Sequence, residues 1–271
     1  MENSNLEYRK LDEVYFLGVK INNVSFDDVH EFIRDRIQKN EKGYICANDV
    51  CNVIGASQDK QFLQAVNLSS LNIADGTPLT WYARLVGCRE IERISGMDMM
   101  ARMFAANNGY SHFLLGDTQE RIDRVIEKAR GINETIRISG YSPPFKEFDE
   151  EDNRMILERL NKQAPDIIWV SFGGEKQEMW MFNNLNKLNR GVMIGVGAAF
   201  KFLIGELKTP PRILQKMGLQ WVYRTVQVNL KDPKKHLKTT NKFLKRRLIF
   251  ISHFLGEVLR SRKEYRKRTG G

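Results

Sequence analysis

Short apolar runs alternate along the chain with longer segments whose apolar residues repeat at helical spacing. The short runs predict strands at 14–19, 44–47, 71–74, 112–115, 135–138, 167–172 and 192–196. The longer segments predict helices at 26–38, 79–86, 98–107, 119–129, 150–162 and 176–188. Strands that alternate with helices indicate an α/β fold, in which a mainly parallel sheet is covered by helices on both faces.

The pattern changes after Gly205, where Thr209, Pro210 and Pro211 interrupt the chain and a helical, basic segment begins. Within that segment an apolar stripe repeats at spacings of 7, 4, 3, 4 and 3, as on one face of an amphipathic helix. The stripe comprises Leu237, Leu244, Leu248, Ile251, Leu255 and Val258. We therefore predict a core at 1–208 and a basic helical C-terminal appendage at 209–271.

Positive charge is concentrated in this appendage. The chain of 271 residues is 42% hydrophobic and 28% charged, as in globular proteins, and its formal net charge is +10. Residues 234–268 hold 13 Lys and Arg against Glu257 and Glu264, a net of +11, which leaves −1 for the rest. A near-neutral body with a basic tail indicates an anionic partner, either a membrane surface or nucleic acid. The apolar stripe and the lack of an RNA-recognition signature favour the membrane.

Several classes of protein are excluded by simple features. Cys46, Cys51 and Cys88 are odd in number and have no CxxC spacing, so neither a disulfide framework nor a cysteine zinc site is expected. The four histidines are scattered, and we predict no metal site. The polar N-terminus lacks a signal peptide, and no run approaches the ~20 apolar residues that span a bilayer. We expect a cytoplasmic protein whose membrane contact is peripheral.

Asp75 is the first candidate for chemistry, because it follows the predicted strand 71–74 at the edge where open α/β sheets bind ligands. Thr77 is the expected N-cap of the next helix, and Pro78 suits its first position. A carboxylate here would accept a proton from an attacking hydroxyl. The alternative is a turn aspartate bonded to local amides, and position alone favours that alternative.

Two glycine turns are candidates for binding a nucleotide. The stretch 171–178 follows a strand and opens a helix, so Gly173 and Gly174 would let backbone amides approach a diphosphate, and Lys176 adds a positive charge. An ordinary strand-to-helix turn explains the same pattern equally well. Gly195 and Gly197 have the same form with a weaker signal.

Together these stretches form an ordered set of short motifs. They are Leu17-Gly-Val, Ala47-Asn48, Ala74-Asp-Gly-Thr-Pro78, Glu92-Arg-Ile-Ser-Gly-Met-Asp98, Leu114-Leu-Gly116, Gly140-Tyr-Ser-Pro-Pro-Phe145, Gly173-Gly-Glu-Lys-Gln-Glu178, Gly195-Val-Gly-Ala-Ala-Phe200 and Gly218-Leu-Gln-Trp-Val-Tyr-Arg224. From about residue 17 to 233 the set resembles the WecG/TagA/CpsF glycosyltransferase family. The resemblance implies a Rossmann-like fold with a C-terminal appendage.

The resemblance also implies an activity. Members transfer a sugar from a UDP-sugar to a saccharide on undecaprenyl diphosphate, with inversion and without a metal or cofactor, at the inner face of the cell membrane. Self-association is a further expectation, and nucleic acid is not an expected partner. The alternative function is a non-catalytic membrane- or nucleic-acid-binding protein that uses its basic tail.

The resemblance assigns roles to particular residues. Asp75 matches the proposed base, which reverses the preference drawn from its position. The other implied contacts are Cys46, Asn48, Gly76 and Thr77 for substrate, Gly173, Gly174, Lys176, Gln177, Glu178, Gly195 and Gly197 for the nucleotide, and Arg212 and Arg224 for diphosphate and acceptor. The chain departs from the family pattern at Cys46, where threonine is usual, and at Lys201, where aspartate is usual.

Overall fold

A computed structural model of the chain describes residues 12–106, 108–144, 149–223 and 233–269. The strands are β1 (Glu13–Phe16), β2 (Val19–Asn22), β3 (Gly43–Asn48), β4 (Leu71–Ala74), β5 (Ser111–Gly116), β6 (Arg137–Tyr141), β7 (Ile167–Ser171) and β8 (Val192–Gly195). The helices are α1 (Phe26–Gln38), α2 (Val50–Gln58), α3 (Lys60–Asn67), α4 (Thr77–Val86), α5 (Gly96–Ala105), α6 (Gln119–Ile132), α7 (Glu150–Gln163), α8 (Gly174–Asn184), α9 (Ala199–Leu203), α10 (Arg212–Lys216) and α11 (Pro233–Thr269).

Strands β3 to β8 form one parallel sheet in the order β4-β3-β8-β7-β5-β6. Successive side chains of each strand point to opposite faces, so each strand contributes to two cores. Ile45 and Trp169 pack with α1, α5, α6 and α9, whereas Tyr44 and Ile168 pack with α7 and α8. The predicted Rossmann-like α/β fold, with helices on both faces of a parallel sheet, is confirmed.

The structure differs from the sequence prediction at the N-terminal strand. The predicted strand 14–19 is an antiparallel hairpin of β1 and β2. Its turn places Leu17 at φ 49° and Gly18 at φ 81°, the positive values that a two-residue hairpin turn requires. The apolar run therefore belongs to two strands that pack on a third core with α2, α3, α4 and α11.

Helices α2 and α3 were absent from the prediction, and the predicted N-cap of α4 was wrong. Asp49 and Asp59 are the N-caps of α2 and α3, and their carboxylates accept backbone N–H groups of the first turn. Gly76, and not Thr77, is the N-cap of α4, and Thr77 is its first residue. The Thr77 hydroxyl instead donates to the Gln215 carbonyl 2.8 Å away, because the chain near α10 lies against the start of α4.

The 37-residue helix α11 packs along one side of the core. Phe250 and Val258 are buried there, and Phe250 stacks on Phe16 of β1 with ring centroids 4.6 Å apart. Other apolar residues of α11 stay exposed, namely Leu244, Leu248, Ile251, Leu255 and Leu259. Most of the predicted stripe is thus exposed, Val258 is buried, and the Leu237 side chain lies outside the described residues. The boundary between core and appendage at 208 stays a prediction.

Candidate active site

One large cavity lies at the carboxyl ends of four adjacent strands, β4, β3, β8 and β7. The segments that follow these strands line it, at 49–52, 75–78, 172–177 and 196–199. The cavity has a volume of about 1390 Å³. Segments of α4 and α5 and the chain at 209–221 form further walls, and α11 contributes side chains between Thr240 and Leu255. This is the edge at which open α/β sheets bind ligands.

Eight predicted site residues line this cavity: Asp75, Gly76, Thr77, Gly173, Gly174, Lys176, Gln177 and Gly197. Cys46, Asn48, Glu178 and Gly195 are buried next to it and do not line it. The side chain of Arg212 and the whole of Arg224 lie outside the described residues. Segments far apart in sequence therefore meet at one edge of the sheet.

Asp75 follows the last residue of β4, and its side chain is half-buried in the cavity wall. Its backbone N–H donates to the Asn48 carbonyl 2.9 Å away, which continues the β3–β4 ladder by one step. Asp49 is the neighbouring carboxylate, and its Oδ1 accepts the N–H groups of Cys51 and Asn52 at 2.8 and 3.0 Å. Asp49 is thus used as a helix cap, whereas Asp75 lies beyond a strand end in the cavity wall.

The glycine turn before α8 presents a helix N-terminus to the cavity. Gly173 and Gly174 have φ values of 78° and 47°, and a side chain would strain both positions. Gly173 is the N-cap of α8, and no side chain among the described residues caps the helix. The first N–H groups of α8 and the positive end of its dipole are therefore available to an anion. Lys176 is exposed in the first turn of the helix.

Gln177 connects this turn to the next strand end. Its Oε1 accepts the N–H of Gly197 at 3.0 Å, and its Nε2 donates to Glu178 Oε1 at 2.8 Å. Gly195 leaves space for this amide, since a Cβ at that position would lie 2.9 Å from Gln177 Nε2. The amide therefore fixes the two glycine turns relative to each other.

Glu178 is fully buried beneath the Gln177 amide, and its Oε2 has no hydrogen-bond partner among the described residues. Burial raises the pKa of this carboxyl to about 8, although the hydrogen bond from Gln177 acts in the opposite direction. The group is therefore mainly protonated at neutral pH. A protonated Glu178 then adds no negative charge beneath the glycine turn before α8.

Cys46 points away from the cavity, because it occupies the β3 position that packs into the α7 and α8 core. It is fully buried, and burial raises the pKa of its thiol well above its usual range. Asn48, also buried, donates from Nδ2 to Asn72 Oδ1 at 2.7 Å. Both side chains are therefore buried beneath the sheet edge and do not line the cavity.

Further cationic side chains reach the cavity from the segment between α4 and α5 and from α11. Arg93 donates to Asp98 Oδ2 at 3.1 Å and to Gln215 Oε1 at 3.2 Å. From α11, Arg246 and Lys242 lie 2.6 and 3.2 Å from Glu175 Oε1. Arg247 lies over the Trp221 ring, 4.5 Å from its centroid. In the described part of the chain, His, Cys, Asp and Glu side chains form no group of three that would hold a metal ion.

A family model described as Glycosyl transferase WecG/TagA/CpsF family matches residues 14–268. The chain belongs to this family. The resemblance inferred from the motifs is thereby confirmed. The WecG/TagA/CpsF match extends through most of α11, so the helix that lines the cavity is part of the matched region.

Two WecG/TagA/CpsF relatives carry the same description, N-acetylglucosaminyldiphosphoundecaprenol N-acetyl-beta-D-mannosaminyltransferase. The protein from Bacillus subtilis (strain 168) is 25% identical over 173 residues, which cover 63% of this chain and 66% of that protein. The protein from Staphylococcus aureus (strain NCTC 8325 / PS 47) is 27% identical over 219 residues, which cover 79% of this chain and 84% of that protein.

Sequence reasoning missed several residues that line the cavity of this WecG/TagA/CpsF glycosyltransferase, among them Trp81, Arg93, Arg246 and Arg247. Arg93 lay within a motif used for the resemblance and received no role. Arg246 and Arg247 were counted only as tail charge. A Cβ at position 55 would lie 2.7 Å from the Arg246 guanidinium, so Gly55 leaves room for this side chain. The two residues come together only in the folded structure, and the sequence alone could not reveal the contact.

Proposed function

We propose that this glycosyltransferase transfers a sugar from a UDP-sugar to a saccharide linked to a polyprenyl diphosphate, in the synthesis of a bacterial cell-surface polysaccharide. The names of the two relatives support a lipid-diphosphate acceptor. One observation carries the proposal. Asp75 shares a cavity with the uncapped N-terminus of α8, so a carboxylate and an anion-binding site face the same volume.

The reaction assigns a role to each side of the cavity. Asp75 accepts the proton of an acceptor hydroxyl while that oxygen forms a bond to the anomeric carbon of the donor. The bond from that carbon to the diphosphate oxygen breaks, and UDP leaves with the electron pair. Attack from the side opposite to UDP inverts the anomeric configuration.

The departing diphosphate needs positive charge. The N–H groups at the start of α8 and Lys176 supply it from the sheet edge, and Arg246 supplies it from α11. Arg212 and Arg224 belong to the same proposal. With these groups the transfer proceeds without a divalent cation, which stays a prediction of the account.

The acceptor places the enzyme at the inner surface of the cell membrane. No helix in the described ranges is long and apolar enough to cross a membrane. Leu244, Leu248 and Leu259 are exposed on α11 and do not line the cavity, and together with the basic residues of the helix they are suited to an anionic lipid surface. We propose peripheral association through these residues.

Acceptor-dependent UDP release tests the proposed function. We expect at least one UDP-sugar in a donor panel to release UDP much faster when a sugar linked to a lipid diphosphate is added, with an unchanged rate in EDTA. If no donor shows acceptor-dependent release, the proposed activity is wrong. If EDTA abolishes release and magnesium or manganese restores it, the metal-independent mechanism is wrong.

A further inference from the structure

The cavity extends from a polar floor at the strand ends to an apolar mouth. Beyond the glycine turns it continues between α4 and α11, where Trp81, Phe250, Ile251, Phe254 and Leu255 form one wall. Trp81, Ile251 and Leu255 are 42%, 68% and 74% exposed. Large apolar side chains at the mouth of a cavity indicate a site for an apolar ligand.

Charge and apolar character are ordered along α11. The cavity-lining part of α11 begins with basic side chains, namely Lys242, Arg246 and Arg247. Ile251 and Leu255 line the cavity one and two turns after Arg247. Because a helix rises ~1.5 Å per residue, Leu255 lies ~12 Å along the axis from Arg247. The wall is therefore complementary to an amphiphile that has an anionic head and an apolar chain.

We propose that this apolar wall binds the first isoprene units of the acceptor's polyprenyl chain, with the acceptor diphosphate against Lys242 and Arg247. The inference rests on the proposed function, which supplies a ligand with this chemistry. The polar end of the same cavity holds Asp75, so an acceptor bound in this way presents its sugar toward the base.

The structure provides matched control positions for this wall. Leu259 lies one turn beyond Leu255 on α11, is 72% exposed, and does not line the cavity. Leu85 is similarly placed one turn beyond Trp81 on α4. A bilayer surface would contact both Leu255 and Leu259, whereas a prenyl chain bound in the cavity would contact Leu255 and not Leu259.

The test compares two soluble acceptors in the absence of membrane and detergent. One carries a sugar diphosphate on a three-isoprene chain and the other carries it on an ethyl group. We expect the wild type to prefer the prenyl acceptor in kcat/KM by tenfold or more, since burial of apolar surface adds affinity only for the longer chain. Leu255→Gln and Trp81→Ala should lose most of that preference, and Leu259→Gln and Leu85→Ala should retain it.

Each other outcome overturns the inference in a distinguishable way. Equal kcat/KM for both acceptors in the wild type would contradict the prenyl site and leave the proposed transfer activity standing. No transfer to either acceptor would contradict the proposed function itself. Equal losses in Leu255→Gln and Leu259→Gln would assign the wall to a bilayer surface. An unchanged preference in Leu255→Gln, with a dimer lost in sedimentation, would assign it to a second copy of the chain. Melting curves of the four variants verify that each is folded.

Discussion

Replacing Asp75 with asparagine should lower kcat for sugar transfer by about 10² to 10⁴-fold and leave the affinity for the UDP-sugar nearly unchanged. Asparagine has almost the same shape and cannot accept the proton of the attacking hydroxyl. The half-buried position of Asp75 at the end of β4 tolerates this change without loss of the fold. Initial rates at saturating donor and calorimetric donor binding measure the two quantities separately.

Asp49 provides the matched control, because it is the carboxylate next to Asp75 in the same cavity. Its side chain caps α2, and asparagine caps helices as well as aspartate does. Asp49→Asn should therefore change kcat by less than about tenfold. Near-normal turnover in Asp75→Asn, or a collapse in Asp49→Asn alone, would move the base to a different carboxylate.

Glu178→Gln should stabilise the protein at pH 8 by a few kcal/mol and have little effect near pH 4.5. The Glu178 carboxyl has a pKa of about 8 in the fold because burial disfavours its charged form, whereas the unfolded chain ionises it near 4.5. A raised pKa means that the folded state keeps a proton that the unfolded state releases. Stability is therefore lost as pH rises from about 4.5 to 8, and it levels off above that range.

Glutamine has the shape of the protonated acid and stays neutral at every pH, so the variant should not lose stability as pH rises. Its Oε1 can still accept the hydrogen bond from the Gln177 amide. Urea unfolding of both proteins at pH 5, 6.5 and 8 measures the difference. Glu127→Gln, a change of an exposed glutamate on α6, is the control and should be neutral at each pH. An advantage of Glu178→Gln that does not grow with pH would show that the carboxyl is already charged in the fold.

The sheet and its ligand edge were predictable because β3, β4, β5, β7 and β8 are compact apolar runs with glycine or aspartate within two residues after the strand end. Asp75 and Gly173 were found in this way, from a local pattern that a parallel sheet converts into neighbouring positions. Helices α2 and α3 were missed because one follows the other almost directly. Asp49 and Asp59 were the available N-cap signals for them.

Burial of individual polar side chains was not predictable in the same way. Cys46 and Asn48 lie near the end of β3, and which face of the sheet each occupies depends on register with β4 and β8. Glu178 is charged in isolation, and only the packing of α8 on the sheet buries it. The spacing in α11 predicted an amphipathic helix but could not separate Phe250, which is buried against β1, from Ile251, which is exposed at the cavity mouth.

A crystal structure of the protein with UDP bound tests the central claim most directly, namely that the cavity at the ends of β4, β3, β8 and β7 is the site of sugar transfer. We expect the diphosphate to contact the N–H groups at the start of α8 and Lys176, with open volume for the donor sugar beside Asp75. UDP bound elsewhere, for example beyond the carboxyl ends of β5 and β6, would contradict it.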